Sequence, residues 1–195
     1  MAPTDTHRET PTAILDSAER FVQRRGFNGF SYADVAAELA VTKASLHYHF
    51  AGKAELGEAL MTRYSERFAA ALVDIDATDA SAPAKLDAYA ALYAGVLQGE
   101  RMCLCGMLAA EYETLPPGMQ SVVLRFFDAN ERWLVGVLEA GRREGALAFD
   151  QPAADAARLI VSALEGAMLV ARPFSDVGRF QTAARALLKS FTPSV

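Results

Sequence analysis

The chain has 195 residues, 52% of them hydrophobic, and a net charge of −5. That length supports a buried core without disulfides or structural metal, and the two cysteines, Cys103 and Cys105, stand one residue apart, too close for an ordinary disulfide, as in a reducing compartment. The acidity speaks against bulk coating of nucleic acid, and no apolar run reaches the roughly 18 residues of a membrane span, because residues 159–171 are interrupted by Glu165.

Residues 1–9 are polar and lack the apolar stretch of a secretory signal, so they are expected to be a flexible tail on a cytoplasmic protein. From residue 10 onward the pattern is helix, stop, helix. The first helix is predicted over 10–25, with Ile14, Leu15, Ala18, Phe21 and Val22 on one face and Gly26 as a left-handed cap. Ser31 is predicted to cap a second helix, paired with Asp34 in capping-box spacing, that ends near Leu39 and Ala40. Thr42 caps a third, reaching about Phe50, and a long fourth helix runs from Lys53 to about Asp74.

Further helices are expected over 84–98, 102–114 and 117–143, bounded by Gly99, Pro116 with Pro117, and Gly145. The final pair, 152–171 and 176–191, is joined by Arg172, Pro173, Phe174 and Ser175, short enough for an antiparallel hairpin. No segment alternates as a strand does. The fold class is therefore all-α, with about nine helices: a three-helix domain over 10–52 and a helical body over 53–195.

The residues SYADVAAELAVTKASLHYHF (31–50) place two short helices around a tight turn at Ala40 and Val41, as in a helix-turn-helix. Val35, Ala36, Leu39, Val41, Leu46 and Phe50 are expected to fill the small core, Leu46 and Phe50 lying four apart on one face of the third helix. The opposite face presents Lys43 with His47, and Ala44 with Tyr48, at the same spacing. Residues 41–53 contain two lysines, two histidines and no acid, so nothing in this stretch repels phosphate. His47 and His49, two apart on a helix, diverge and do not suit a metal. Neither metal nor cofactor is expected.

The stretch ILDSAERFVQRRGFNGFSYADVAAELAVTKASLHYHFAGKAEL, residues 14–56, resembles the N-terminal domain of the TetR family of bacterial repressors. The RGF-x-G-F-S link, the D-V-A-A helix, the V-T-K-A-S-L-x-Y-H-F segment and G-K-A-E-L match together. Ala40 departs from the glycine often found in the turn, at about 1 kcal/mol if the position is left-handed. The resemblance implies that Lys43, Ala44, Ser45 and His47 face base edges of a palindromic operator, while Thr42, Tyr48, His49, Lys53 and Tyr32 meet phosphates. It also implies a homodimer, formed through the final helix pair, and release by a small-molecule effector.

Two stripes are candidates for that dimer surface or for internal core: Leu159, Ile160, Ala163, Leu164, Ala167 and Met168, then Phe180, Ala184, Leu187, Leu188 and Phe191. Tyr89, Tyr93, Cys103, Met107, Phe127 and Trp133 are candidate pocket residues within a region whose apolar side chains mostly serve packing. Glu165 is expected to form an ion pair with Arg158 or Arg172. The segment CLCGMLAAE also resembles a Cys-containing helix of family members that sense electrophiles or oxidants, an alternative in which Cys103 is the sensor. Enzymatic activity finds no support, since no nucleophile has a base beside it and no phosphate loop is present. A helical protein-interaction module that does not bind DNA is the remaining alternative.

Overall fold

The computed structural model describes residues 10–193; the tail expected over 1–9 lies outside them. Among the described residues there are nine α-helices and no strand. They are α1 (Pro11–Arg25), α2 (Tyr32–Leu39), α3 (Lys43–His49), α4 (Lys53–Asp76), α5 (Ala82–Gln98), α6 (Leu104–Ala110), α7 (Pro117–Arg143), α8 (Ala153–Ala171) and α9 (Val177–Lys189), with 3₁₀ turns at Tyr112–Thr114 and Arg172–Phe174. None of these helices is long and apolar enough to cross a membrane.

The ends follow their local chemistry. The Thr10 hydroxyl accepts the Ala13 N–H at 3.2 Å, and Pro11, which has no N–H to satisfy, opens α1. Gly26 ends α1 with φ +82° but ψ 169°, which is not the left-handed helical cap expected there. The helix expected over 102–114 is two pieces, because α6 stops at Ala110 and the chain tightens into a 3₁₀ turn.

The chain divides into two compact units. The first comprises the residues up to Ser65 with Leu104–Val123, and so is larger than the 10–52 domain drawn on sequence. Within it α1 packs on α2 and on α6, and α2 packs on α3. Ile14, Ala18 and Val22 of α1 meet a core that also contains Phe27, Phe30, Val35, Leu46, Phe50, Leu56 and Leu60, all buried.

The second unit comprises Glu66–Cys103 with Leu124–Val195; in it α8 packs on α9, and both pack on α5. Ile160, Leu164 and Met168 of α8, and Phe180, Ala184, Leu188 and Phe191 at α9, are buried within the single chain. These parts of the two apolar stripes are therefore internal core. What α8 turns outward is Leu159 of that stripe together with Leu169 and Val170, which are 48%, 62% and 59% exposed.

Candidate nucleic-acid interface

Local hydrogen bonds set the angle between α2 and α3. The backbone N–H and hydroxyl of Ser31 both donate to Asp34 Oδ2, at 2.7 and 2.6 Å, which closes the capping box and holds the Asp34 carboxyl below the usual range. Arg20 and Ser17 of α1 both donate to the Glu38 carboxylate, tying α1 to α2. Ala40 occupies the left-handed region (φ 55°, ψ 41°), so the turn carries the alanine cost that the sequence reading anticipated. Val41 N–H then donates to Ala36 O at 3.0 Å, satisfying a carbonyl at the end of α2.

Across that turn, the Thr42 hydroxyl accepts the Ser45 N–H at 3.2 Å and starts α3. Leu46 and Phe50 are buried and anchor the inner face, as their spacing requires, while Leu39 and Val41 are only half-buried. Thr42, Lys43, Ala44, His47 and Tyr48 are exposed, and Ser45 and His49 half-buried. Tyr48 is 86% exposed, an uncommon condition for a tyrosine with no task in the core. Its ring stacks edge-on against His49, with centroids 5.1 Å apart. His47 is oriented from below: Nδ1 lies 3.0 Å from Ala51 O and its ring 4.8 Å from that of Tyr32.

Two residues carried over as phosphate contacts also have internal contacts. Tyr32 is buried, and its hydroxyl donates to Phe50 O at 3.0 Å, pinning the end of α3 to α2. Burial, with the nearby Glu55 charge, pushes that hydroxyl up to about 12. Lys53 donates from Nζ to Phe30 O at 2.5 Å and sits 4.6 and 4.4 Å from the ring centres of Phe27 and Phe30. Desolvation lowers its pKa, opposed by the charges of Glu111 and Asp34. One N–H of the ammonium is spent on Phe30 O, and two remain.

Glu111 also belongs to this unit. It follows α6 directly, and its carboxylate accepts the backbone N–H groups of Phe27 and Asn28 in the link between α1 and α2. Asn28 Nδ2 adds a 2.7 Å bond to the Thr114 hydroxyl. Gly26 is required at this contact, since a Cβ there would lie 2.7 Å from Glu111 Oε1. Nothing in the local sequence marks Glu111, because its partners are 83 and 84 residues away.

The candidate pocket residues fall in both units, with Met107 in the first and Tyr89, Tyr93, Cys103, Phe127 and Trp133 in the second. Tyr89, Tyr93 and Cys103 are buried, whereas Met107, Phe127 and Trp133 are half-buried. Glu165 forms neither of the expected ion pairs: Arg158 turns to Asp155 at 3.0 Å and Glu131 at 3.6 Å. Among the described residues no group of three or more acidic, His or Cys side chains is placed to hold a metal ion.

Comparison with known proteins agrees with this arrangement. Residues 14–60 match the bacterial regulatory proteins of the tetR family, and residues 82–187 match the tetracyclin repressor-like C-terminal domain. A TetR family transcriptional regulator from Agrobacterium tumefaciens is 29% identical and superposes with a TM-score of 0.90 over 97% of this chain and all of its own. A TetR transcriptional regulator from Legionella pneumophila is 30% identical, with a TM-score of 0.84 over 98% of this chain and 99% of its own. The HTH-type transcriptional regulator TtgR of Pseudomonas putida is 37% identical over 59 residues, and the match spans 28% of that relative's length. With a family match over 82–187 and a helix-turn-helix match over 14–60, this chain belongs to the TetR family of bacterial regulatory proteins, which are DNA-binding transcriptional regulators and not enzymes.

Proposed function

We propose that the chain acts in the cytoplasm as a homodimeric repressor that grips a palindromic operator through α3 and releases it when a small molecule binds the helical body. The observation that carries this reading is the outer face of α3, where Lys43, Ala44, His47 and Tyr48 are exposed together while Leu46 holds the helix down. Lysine and histidine donors suit base edges and phosphates, and a flat phenol suits the wall of a major groove. The DNA-contacting set proposed here is Thr42, Lys43, Ala44, Ser45, His47, Tyr48, His49 and Lys53, with the buried Tyr32 supporting it from within.

A two-fold operator needs two heads, and the outward Leu159, Leu169 and Val170 of α8 offer an apolar surface for a second copy. Release follows from linkage: a ligand that prefers a form with misplaced heads weakens DNA binding by the same coupling free energy. Helix α4 continues directly from the head, and α6 is followed by Glu111, which holds the link between α1 and α2. A shift of either helix would turn the heads. The redox alternative gains no support from Cys103, which is buried with its thiol hydrogen-bonded to the Glu165 carboxyl, the reverse of an exposed, electropositive setting.

The test is footprinting on DNA flanking the protein's own gene at two salt concentrations, comparing wild type with Tyr48→Ala. A two-fold-symmetric protected site, weakened by salt and lost in the variant, is the expected result. Protection that survives in the variant removes Tyr48 from the interface. Absence of any sequence-specific site, there or in a genome-wide selection, favours the protein-interaction module.

A further inference from the structure

The second unit buries a connected polar cluster inside an apolar interior. Asn130 Nδ2 donates to Phe126 O at 2.8 Å, so its Oδ1 is the acceptor of the Tyr89 hydroxyl, 3.0 Å away. Tyr89 having spent its proton there, the 3.0 Å bond between the two phenols must be donated by Tyr93. Tyr93 Oη is left with lone pairs only. Near it, the Cys103 thiol is hydrogen-bonded to Glu165, and Glu165 Oε1 is shut from solvent with no hydrogen-bond partner. Glu165 as a residue is partly exposed, but its Oε1 is not. With Glu165 ionised, every unused polar atom of the cluster is an acceptor, and a buried acceptor without a donor is costly.

No cation is among the groups whose charges shift the two phenols. The charges that act on Tyr93 come from Tyr89, Cys103 and Glu165, and those on Tyr89 from Cys103, Glu165 and Glu131; all are acidic groups. Aromatic rings make the wall. Phe68 meets Tyr89 and Tyr93 edge-on at 6.1 Å each, and Trp133 stacks on Tyr89 at 5.4 Å. Trp133 also lines a cavity of about 300 Å³ with Asp76, Lys85, Arg132, Val137 and Glu144, in which the acidic and basic side chains are equal in number, and its indole N–H donates to Asp76 at 2.8 Å. Buried acceptors, aromatic rings and a cavity reached at Trp133 together fit one ligand chemistry.

We propose that this cluster is a binding site for a small organic ammonium ion bearing an apolar group, with the charge on Glu165 Oε1 and Tyr93 Oη and the apolar part directed to the cavity at Trp133. This deepens the effector reading above by naming the effector's class, while binding itself can be measured without DNA.

The probe is 2-phenylethylamine, compared with uncharged 2-phenylethanol and anionic phenylacetate, read by fluorescence of Trp133, the only tryptophan. The amine is expected to bind about tenfold or more tighter than the alcohol, with phenylacetate weakest. Glu165→Gln should bring amine and alcohol within about threefold, and Tyr93→Phe should weaken the amine while keeping its advantage. Equal affinity of amine and alcohol, an amine preference that survives Glu165→Gln, or no saturable binding by any probe overturns the proposal. If Glu165→Gln does not fold, wild-type binding of the amine between pH 6 and 8 decides instead. The groups facing the carboxyl are Cys103, the two phenols of α5 and, through Tyr89, Glu131 of α7; affinity should rise about tenfold across that range as Glu165 ionises, and a flat profile overturns the site. Amine binding without an operator would overturn the regulatory reading alone, and an operator without amine binding would overturn this one alone.

Discussion

The carboxylate of Glu111 accepts the backbone N–H of Asn28 at 3.1 Å, across 83 residues of chain. A second N–H, from Phe27, reaches the same carboxylate, so one side chain holds the link between α1 and α2 at two points. Glu111→Ala leaves two amides to find water or strain the link. The expected loss is about 1.5–3 kcal/mol of local stability, as for hydrogen bonds to a charged group. Hydrogen exchange reads it directly: the Phe27 and Asn28 amides should lose at least about tenfold protection. Unchanged protection would show that the contact does not hold the link.

Gly26 and Ala40 make a pair of opposite predictions. Gly26 has φ +82° and its absent Cβ would meet Glu111, so Gly26→Ala should destabilise by about 2 kcal/mol or more. Ala40 sits at φ 55° with a Cβ it would be better without, so Ala40→Gly should stabilise by about 0.5–1 kcal/mol, net of the entropy glycine adds to the unfolded chain. Thermal unfolding checks both signs, with shifts of about 2–4 °C per kcal/mol for a chain of this size.

Tyr48 is 86% exposed, so its removal should spare the fold. Tyr48→Ala is expected to leave the melting temperature within about 1–2 °C of wild type while weakening operator binding about tenfold or more. Lys43→Ala separates two modes of contact. Loss of about one unit in the slope of log affinity against log salt marks a phosphate contact, whereas relaxed sequence preference at one base pair marks a base contact. A matched fall in stability and affinity for Tyr48→Ala would contradict the proposed reading face.

Glu165 makes stability depend on pH with a fixed sign. Burial raises its carboxyl from 4.5 to about 7, against a smaller opposing effect of the Cys103 hydrogen bond. Between those values the folded protein keeps a proton that the unfolded chain releases, so this group favours folding less as pH climbs from 4.5 to about 7, and no further above it. The full swing is at most about 3 kcal/mol. Glu165→Gln should therefore gain stability relative to wild type at pH 8 and show little gain near pH 4.5, measured by urea unfolding at each pH. A difference independent of pH would remove the carboxyl as its source.

Gly166 lies on the outer side of α8, and a side chain built there meets nothing within 4 Å in the single chain. Gly166→Trp should thus be tolerated by the protomer yet fill the space that a second copy needs beside Leu159 and Leu169. Sedimentation velocity should find wild type at twice the 21.0 kDa chain mass and the variant at once that mass. A variant that stays dimeric would place the dimer surface elsewhere.

Sequence alone determined the features that depend on neighbours three or four residues away. The nine helices, the capping box of Ser31 with Asp34, the left-handed turn at Ala40 and the inward Leu46 with Phe50 are all local consequences of helical spacing and capping chemistry. The resemblance over residues 14–56 placed the proposed reading helix within the chain for the same reason, since that motif is contiguous. Tertiary structure decided where polar groups are spent. It turned Tyr32 and Lys53 inward onto Phe50 and Phe30, put Glu111 on the link between α1 and α2, and left Glu165 buried among phenols and a thiol instead of paired with arginine. It also separated the buried Ile160, Leu164 and Met168 from the outward Leu159 and Leu169, which share one helix and one hydropathy. The period of a helix says which residues lie on one face, but only the packing partners decide which face is covered and which charge loses its water.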